Sequence, residues 1–100
     1  MSERPWFLYV ICESGAEETG PCKIGTASNV KYRIDGMKCG NWRPLEIQAI
    51  YASNSRSEAI RIESKILASF GDRRLAGRDW VKATPAQILE AFSLNGKVPL

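Results

Sequence analysis

The stretch that decides the fold is Trp6-Phe7-Leu8-Tyr9-Val10-Ile11-Cys12, an uninterrupted run of apolar, aromatic and β-branched residues. A run of this length and composition predicts a strand that is buried on both faces and therefore lies inside its sheet. Residues 13–20 are polar and contain glycine, and residues 21–26 alternate as a second strand does. We therefore expect an antiparallel hairpin with an acidic loop.

After the hairpin, helix and strand patterns follow each other along the chain. Ser28 or Asn29 is a suitable N-cap for a short helix that ends near Gly40. Residues 45–52 open with period-two alternation, which predicts a third strand. A capping box then predicts a helix over residues 56–70.

The C-terminal third completes the fold prediction. Residues 79–82 have the character of a short extended piece, and a second capping box predicts a helix over residues 85–93. The elements together predict an α+β fold, with a small three-stranded antiparallel sheet flanked by about three helices. Because 100 residues support one modest core, we expect a single domain over residues 1–100 with its core at about residues 6–92.

The composition excludes several classes of protein. The chain has no histidine, so it has no Ser/His or Cys/His nucleophile pair and no histidine-bound metal. Its three cysteines, Cys12, Cys22 and Cys39, are too few and too odd in number for a disulfide framework and are expected to be reduced, mostly buried thiols. No apolar run reaches the roughly 18 residues of a membrane span, and the start does not read as a signal peptide. We expect a cytoplasmic chain that does not bind a membrane.

The positive charge is concentrated in one part of the chain. The net charge is +3, but residues 1–20 hold one base and four acids, whereas residues 21–100 hold thirteen bases and seven acids. This distribution favours a polyanionic partner such as nucleic acid. The candidates for backbone contacts are Lys31, Lys38, Arg43, Arg73, Arg74 and Arg78, with solvated surface charges as the alternative. Trp42 and Trp80 are candidates for stacking on bases, with a core position as the alternative for Trp80.

Glu63 lies where the pattern of its helix calls for an apolar residue. It falls in the middle of an arc formed by Ala59, Ile60, Ile62, Ile66, Leu67 and Phe70. An isolated buried carboxylate is costly, so Glu63 needs a cation, a metal ion or hydrogen-bond donors. A structural ion pair and a position at the exposed edge of the helix both remain open.

Three further residues have positions that call for an explanation. Arg33 lies beside the apolar stripe of the first helix, where it either binds a phosphate or extends into solvent. Lys23 interrupts the second strand and shares a face with Gly25. A register that pairs residue 9 with residue 23 would place the phenol of Tyr9 beside the ammonium group. Gly25 indicates a bulge or a close approach by another backbone or a ligand.

These residues, taken in order, resemble a known family. Tyr9 in Leu8-Tyr9-Val10, then Lys23-Ile24-Gly25, then Arg33, then Glu63 on the long helix, resemble the motifs of the GIY-YIG nuclease superfamily. The similarity is greatest to the small phage-type branch, whose second motif reads KIG. The turn Gly40-Asn41-Trp42-Arg43-Pro44-Leu45, the pair Glu63 and Phe70, and Gly77-Arg78-Asp79-Trp80 also match the layout of that branch.

The resemblance implies a function and a role for each of these residues. It implies hydrolysis of phosphodiester bonds with one divalent metal ion, in which Tyr9 helps to activate water and Lys23 stands in place of a second tyrosine. Arg33 would stabilise the reacting phosphate, Glu63 would bind the metal, and Gly25 belongs to the structural motif. A single carboxylate ligand suits Mg²⁺ or Mn²⁺ better than zinc.

The sequence therefore predicts a metal-dependent endonuclease that acts on nucleic acid, with DNA favoured over RNA. The alternative is a catalytically inactive nucleic-acid-binding or regulatory module on the same fold, because Phe7 and Leu8 replace Gly-Ile in the first motif. A homodimer or a protein partner also remains open.

Overall fold

The computed structural model describes residues 5–75 and 79–100, and within them the fold is α+β, as predicted. One sheet of four strands is combined with three α-helices and a short 3₁₀ turn. None of the helices in these residues combines the length and hydropathy of a bilayer span. In chain order the elements are β1 (Trp6–Glu13), β2 (Cys22–Ala27), α1 (Val30–Lys38), β3 (Leu45–Ser53), α2 (Arg56–Phe70), the 3₁₀ turn (Gly71–Arg73), β4 (Trp80–Val81) and α3 (Pro85–Leu94).

The sheet is antiparallel and has the strand order β3-β1-β2-β4. The apolar run that opens the chain forms β1, which lies between β3 and β2, as its composition predicts. The prediction of three strands is wrong by one, because β4 pairs with Cys22 and Lys23 and adds a fourth. A strand of two residues is too short to show a periodicity, so only its pairing reveals it.

Two layers of side chains cover the two faces of the sheet. On one face α1 packs through Val30 and Ile34 against Tyr9 and Ile11. On the other face α2 and α3 bury the larger core, in which the rings of Tyr51 and Phe92 stack with their centroids 4.1 Å apart. The sheet therefore separates the layer that holds Arg33 from the layer that holds Glu63.

The helices begin at the residues that the caps predict. The Asn29 side chain accepts a hydrogen bond of 3.0 Å from the Tyr32 amide, and the Ser55 hydroxyl accepts one of 3.1 Å from the Glu58 amide. The complete capping box at Thr84 starts α3. The buried apolar arc of α2 is narrower than predicted, because Ile60 is 37% exposed.

Candidate active site

The phenol of Tyr9 lies over Gly25, its partner in the pairing of β1 with β2. Tyr9 is only 1% exposed, and a Cβ atom added to Gly25 would overlap the phenol ring and its hydroxyl. Glycine is therefore required for a close approach by a side chain of its own sheet, not for a bulge.

The register differs from the one that pairs residue 9 with residue 23. Lys23 lies opposite Ile11, so Tyr9 and Lys23 are diagonal neighbours on the same face. Lys23 is half-buried, because Trp80 of β4 pairs with it on the other side. The ammonium group of Lys23 is therefore on the same face of the sheet as Tyr9, but Lys23 lies two residues along β2 from Gly25, the partner of Tyr9.

Arg33 reaches Tyr9 from α1. Burial raises the pKa of Tyr9 above its usual value of 10.0, whereas a hydrogen bond and the positive charge of Arg33 lower it. Arg33 itself is exposed, so its guanidinium group is accessible to a ligand beside the phenol. Among the described cations, Arg33 and not Lys23 is thus the one that acts on the titration of Tyr9.

Glu63 lies in the opposite layer, on α2, which packs against β2 and β1. Its carboxyl group is half-buried. Burial raises the pKa of Glu63, the carboxylate of Asp79 raises it further, and the positive charges of Arg74 and Lys23 lower it. The charge of Glu63 also raises the pKa of Tyr9. Glu63 is therefore electrostatically coupled to groups on both sides of β2.

These groups meet beside a part of β2 that β4 does not cover. Beyond Lys23, no strand among the described residues pairs with β2 on the side away from β1. The Ile24 amide instead donates a hydrogen bond of 3.1 Å to the carbonyl oxygen of Asp79. We call this side of residues 24–27 the open edge of β2. Tyr9, Lys23, Arg33 and Glu63 come from four elements and are coupled beside it, since Arg33 and Glu63 act on Tyr9 and Lys23 acts on Glu63.

Asp79 is a member of this group that sequence reasoning missed. It lies opposite Ile24, just before β4, and its negative charge acts on both Glu63 and Tyr9. The signals in the sequence are an acidic residue that directly follows a basic loop and the match of Gly77-Arg78-Asp79-Trp80 to the phage-type layout, neither of which assigns Asp79 a role. Asp79 becomes a candidate only in the folded chain, where the pairing of β4 with β2 places it opposite Ile24.

The six cations proposed to contact nucleic acid have different surroundings. Lys31 forms an ion pair of 3.2 Å with Asp35, and the guanidinium carbon of Arg43 lies 4.5 Å from the centre of the Trp42 ring. Arg73 donates hydrogen bonds to the Lys82 carbonyl at 3.1 Å and to Gln87 at 3.2 Å, so it links the 3₁₀ turn to α3. Lys38 and Arg74 are exposed, and Arg74 acts on Glu63. Arg78 lies outside the described residues.

Trp42 and Trp80, the two candidates for stacking on bases, differ in their burial. Trp80 packs against the core layer of Tyr9, whereas Trp42 is 84% exposed in the turn that follows α1. Trp42 therefore remains the one of the pair that is accessible for stacking.

The fold and the site define a small α+β protein with a polar cluster at a sheet edge. A family model described as the T5orf172 domain matches residues 6–95, and the chain belongs to this family. The T5orf172 domain is phage-associated and related to nuclease-like folds. No curated protein and no solved structure matches the chain.

Proposed function

We propose that this chain is a metal-dependent endonuclease of the GIY-YIG type, which hydrolyses phosphodiester bonds in nucleic acid, with DNA favoured over RNA. The observation that carries the proposal is the convergence of Tyr9, Lys23, Arg33 and Glu63 at the open edge of β2. The order of the motifs in the sequence and the membership of a phage-associated, nuclease-related family both support it.

Arg33 holds the reacting phosphate. Its guanidinium group offers paired N–H donors to two phosphate oxygens, and its charge offsets the negative charge that grows on the phosphate as the bond breaks. The contact between Arg33 and Tyr9 fixes the direction of the guanidinium group before the substrate arrives. Loss of one preorganised donor of this kind costs about 10² to 10³ in rate.

Tyr9 positions the attacking water. Because burial raises the pKa of Tyr9, the group is a neutral phenol at neutral pH, and its oxygen accepts a hydrogen bond from the water. The fixed ring, which packs on Gly25, directs the water toward the phosphate that Arg33 holds. Lys23 contributes a second positive charge on this face, where the resemblance places the partner of Tyr9 in water activation.

Glu63 is the proposed metal ligand, and the negative charge of Asp79 acts on it. Within residues 5–75 and 79–100, no group of three or more metal-ligating side chains forms a complete site. A carboxylate pair in a half-buried position fits a hard cation that keeps most of its ligands as water and phosphate oxygens, as Mg²⁺ or Mn²⁺ does. Such an ion, when bound, polarises the phosphate and makes water more acidic. Asp79 and Glu63 repel each other without it, since Asp79 raises the pKa of Glu63.

The test is a cleavage assay with the purified chain. Labelled single- and double-stranded DNA and RNA are incubated with Mg²⁺, with Mn²⁺ and with a chelator. The parent is expected to cut only with metal, and Glu63→Gln and Arg33→Ala are expected to lose at least about 10²-fold in rate. Glu90→Gln and Arg61→Ala, which change exposed residues of the same types on α3 and α2, are the matched controls.

Two outcomes would contradict the proposal. If Glu63→Gln cuts as fast as the parent, the site is wrong. If the parent binds nucleic acid but cuts none of the four substrates with either metal, the chain is the inactive binding module of the alternative interpretation.

A further inference from the structure

Two adjoining grooves lie along α1 on the Tyr9 face of the sheet. The larger one, of about 590 Å³, lies between the first half of α1 and the ends of β1 and β2, with Arg33 and Tyr32 in its wall. The smaller one, of about 260 Å³, lies between the end of α1 and β4, and Lys23 and Trp80 line it. Gly36 and Met37 line both grooves, so the two adjoin along α1. We call them the Arg33 groove and the Lys23 groove.

The charge of both grooves suits a polyanionic strand. Among the described residues that line the grooves, each groove has one cationic side chain and neither has an acidic one. Both cations also act on the candidate active site: Arg33 acts on Tyr9, and Lys23, together with Arg74, acts on Glu63. A chain of phosphates that passes from one groove to the other would therefore pass the open edge of β2.

The lining of the Arg33 groove suits a nucleobase. Trp6, Ala27 and Met37 supply apolar surface, and Tyr32 is an aromatic residue that is 80% exposed. The volume is within the range of about 300 to 1,000 Å³ that small-molecule sites occupy. Aromatic side chains at the wall of a groove stack on bases whose faces are free.

Gly36 keeps both grooves open. It lies inside α1, where glycine is the poorest helix former apart from proline, and a Cβ atom added there would meet nothing within 4 Å. Packing therefore does not require glycine at this position. What glycine does provide is the space above it, which belongs to the two grooves.

We propose that the Arg33 and Lys23 grooves together bind an unpaired strand of nucleic acid, with one base of the strand in the Arg33 groove against Tyr32. The proposal rests on the proposed function, and it deepens it by naming the substrate class. A paired base has its faces stacked and its pairing edge occupied, so only an unpaired base enters a groove of this kind.

The test measures binding in a chelator, so that it is independent of cleavage. Fluorescence anisotropy compares three probes of equal length: a labelled single-stranded DNA, its duplex, and a single strand in which tetrahydrofuran abasic units replace the bases. The parent is expected to bind the base-bearing strand roughly 5- to 150-fold tighter than the abasic strand. Binding of the duplex is expected to be weaker than binding of the single strand.

Substitutions inside and outside the Arg33 groove test where the base binds. Tyr32→Ala and Gly36→Leu are expected to abolish the preference for bases, the first by removing the stacking surface and the second by filling the groove. Tyr32→Phe and Gly36→Ala are the conservative controls and should keep the preference. Trp42→Ala removes an exposed aromatic side chain that lines neither groove and should also keep it.

The result distinguishes this proposal from the proposed function. Equal binding of the base-bearing and abasic strands, or of the duplex and the single strand, would overturn the unpaired-strand proposal even if the parent cuts DNA. Loss of the preference in Trp42→Ala instead of Tyr32→Ala would overturn the placement. A base preference that Tyr32→Ala removes would support it even if no substrate is cut. Because Tyr32 is exposed, its replacement does not depend on the fold tolerating a core change.

Discussion

The Tyr9 phenol lies directly against the backbone of Gly25, the residue that pairs with it across β1 and β2. The absence of a side chain at Gly25 leaves room for the phenol, so that Tyr9 as a whole is only 1% exposed. The placement of Tyr9, a proposed catalytic residue, therefore depends on the glycine at position 25.

Gly25→Ala is expected to move Tyr9 and to destabilise the fold. The added methyl group overlaps the phenol, so either the ring or the strand must shift, at a cost of about 1 to 3 kcal/mol in the free energy of unfolding. Denaturant unfolding measures the stability, and the cleavage assay measures the loss of activity. An unchanged stability together with full activity would contradict the proposed contact.

Gly36→Ala is expected to have the opposite effect on stability. An alanine there meets no atom within 4 Å and improves the helix propensity of α1, so the free energy of unfolding should rise by about 0.5 to 1 kcal/mol. Chemical denaturation of the two glycine variants side by side checks this prediction, and each serves as the other's control. A destabilised Gly36→Ala would mean that the space above Gly36 is filled.

Asp79→Asn is expected to weaken the binding of a divalent ion without weakening the apo fold. The change removes the repulsion with Glu63 but also removes a carboxylate beside the proposed ligand, so the affinity for Mn²⁺ should fall by about 10-fold or more. Electron paramagnetic resonance of Mn²⁺ measures binding, and thermal unfolding without metal measures stability. Asp72→Asn, which changes an exposed carboxylate in the 3₁₀ turn, is the matched control. Equal Mn²⁺ affinities in both variants would exclude Asp79 from the site.

The stability of the fold is expected to decrease in alkaline solution. Burial raises the pKa of the Cys22 thiol from 9.0 to about 12. The folded state thus holds this proton more tightly than the unfolded state does, so the stabilisation is fully present below pH 9 and is lost as the pH rises toward 12. One group of this kind contributes a slope of up to about 1.4 kcal/mol per pH unit in that window.

Replacement of the thiol isolates its contribution. Burial also raises the pKa values of Tyr9, Cys12 and Tyr51, so a decrease remains in every variant. Denaturant unfolding of the parent and of Cys22→Ala, under reducing conditions between pH 7 and 11, should give a shallower decrease for the variant. Parallel curves would contradict the assignment to Cys22.

Much of the fold could be predicted from local patterns. The caps at Asn29, Ser55 and Thr84 start their helices where expected, because a cap depends only on residues within one turn. The central position of β1 follows from its unbroken apolar run. Glu63 was a site candidate because a carboxylate inside an apolar arc breaks a local rule.

Other features required contacts between distant parts of the chain. No local pattern specifies that Tyr9 pairs with Gly25 instead of Lys23, since a register is selected by the packing of whole strands. Asp79 has no periodic neighbours, and it joins Glu63 only because the two-residue β4 pairs with β2. The coupling of Arg33 to Tyr9 crosses from a helix to a strand.

The amino-acid sequence by itself determined which segments are helices and strands, which faces they bury, and which polar residues lie on those otherwise apolar faces. Each of these properties depends on side chains a few positions apart, so it is encoded locally. Only the tertiary structure decided that the polar residues meet at the open edge of β2, that Asp79 joins them, and that two grooves adjoin there. Those relationships depend on strand register and on the packing of α1 and α2 against opposite faces of the sheet, which the whole chain settles together.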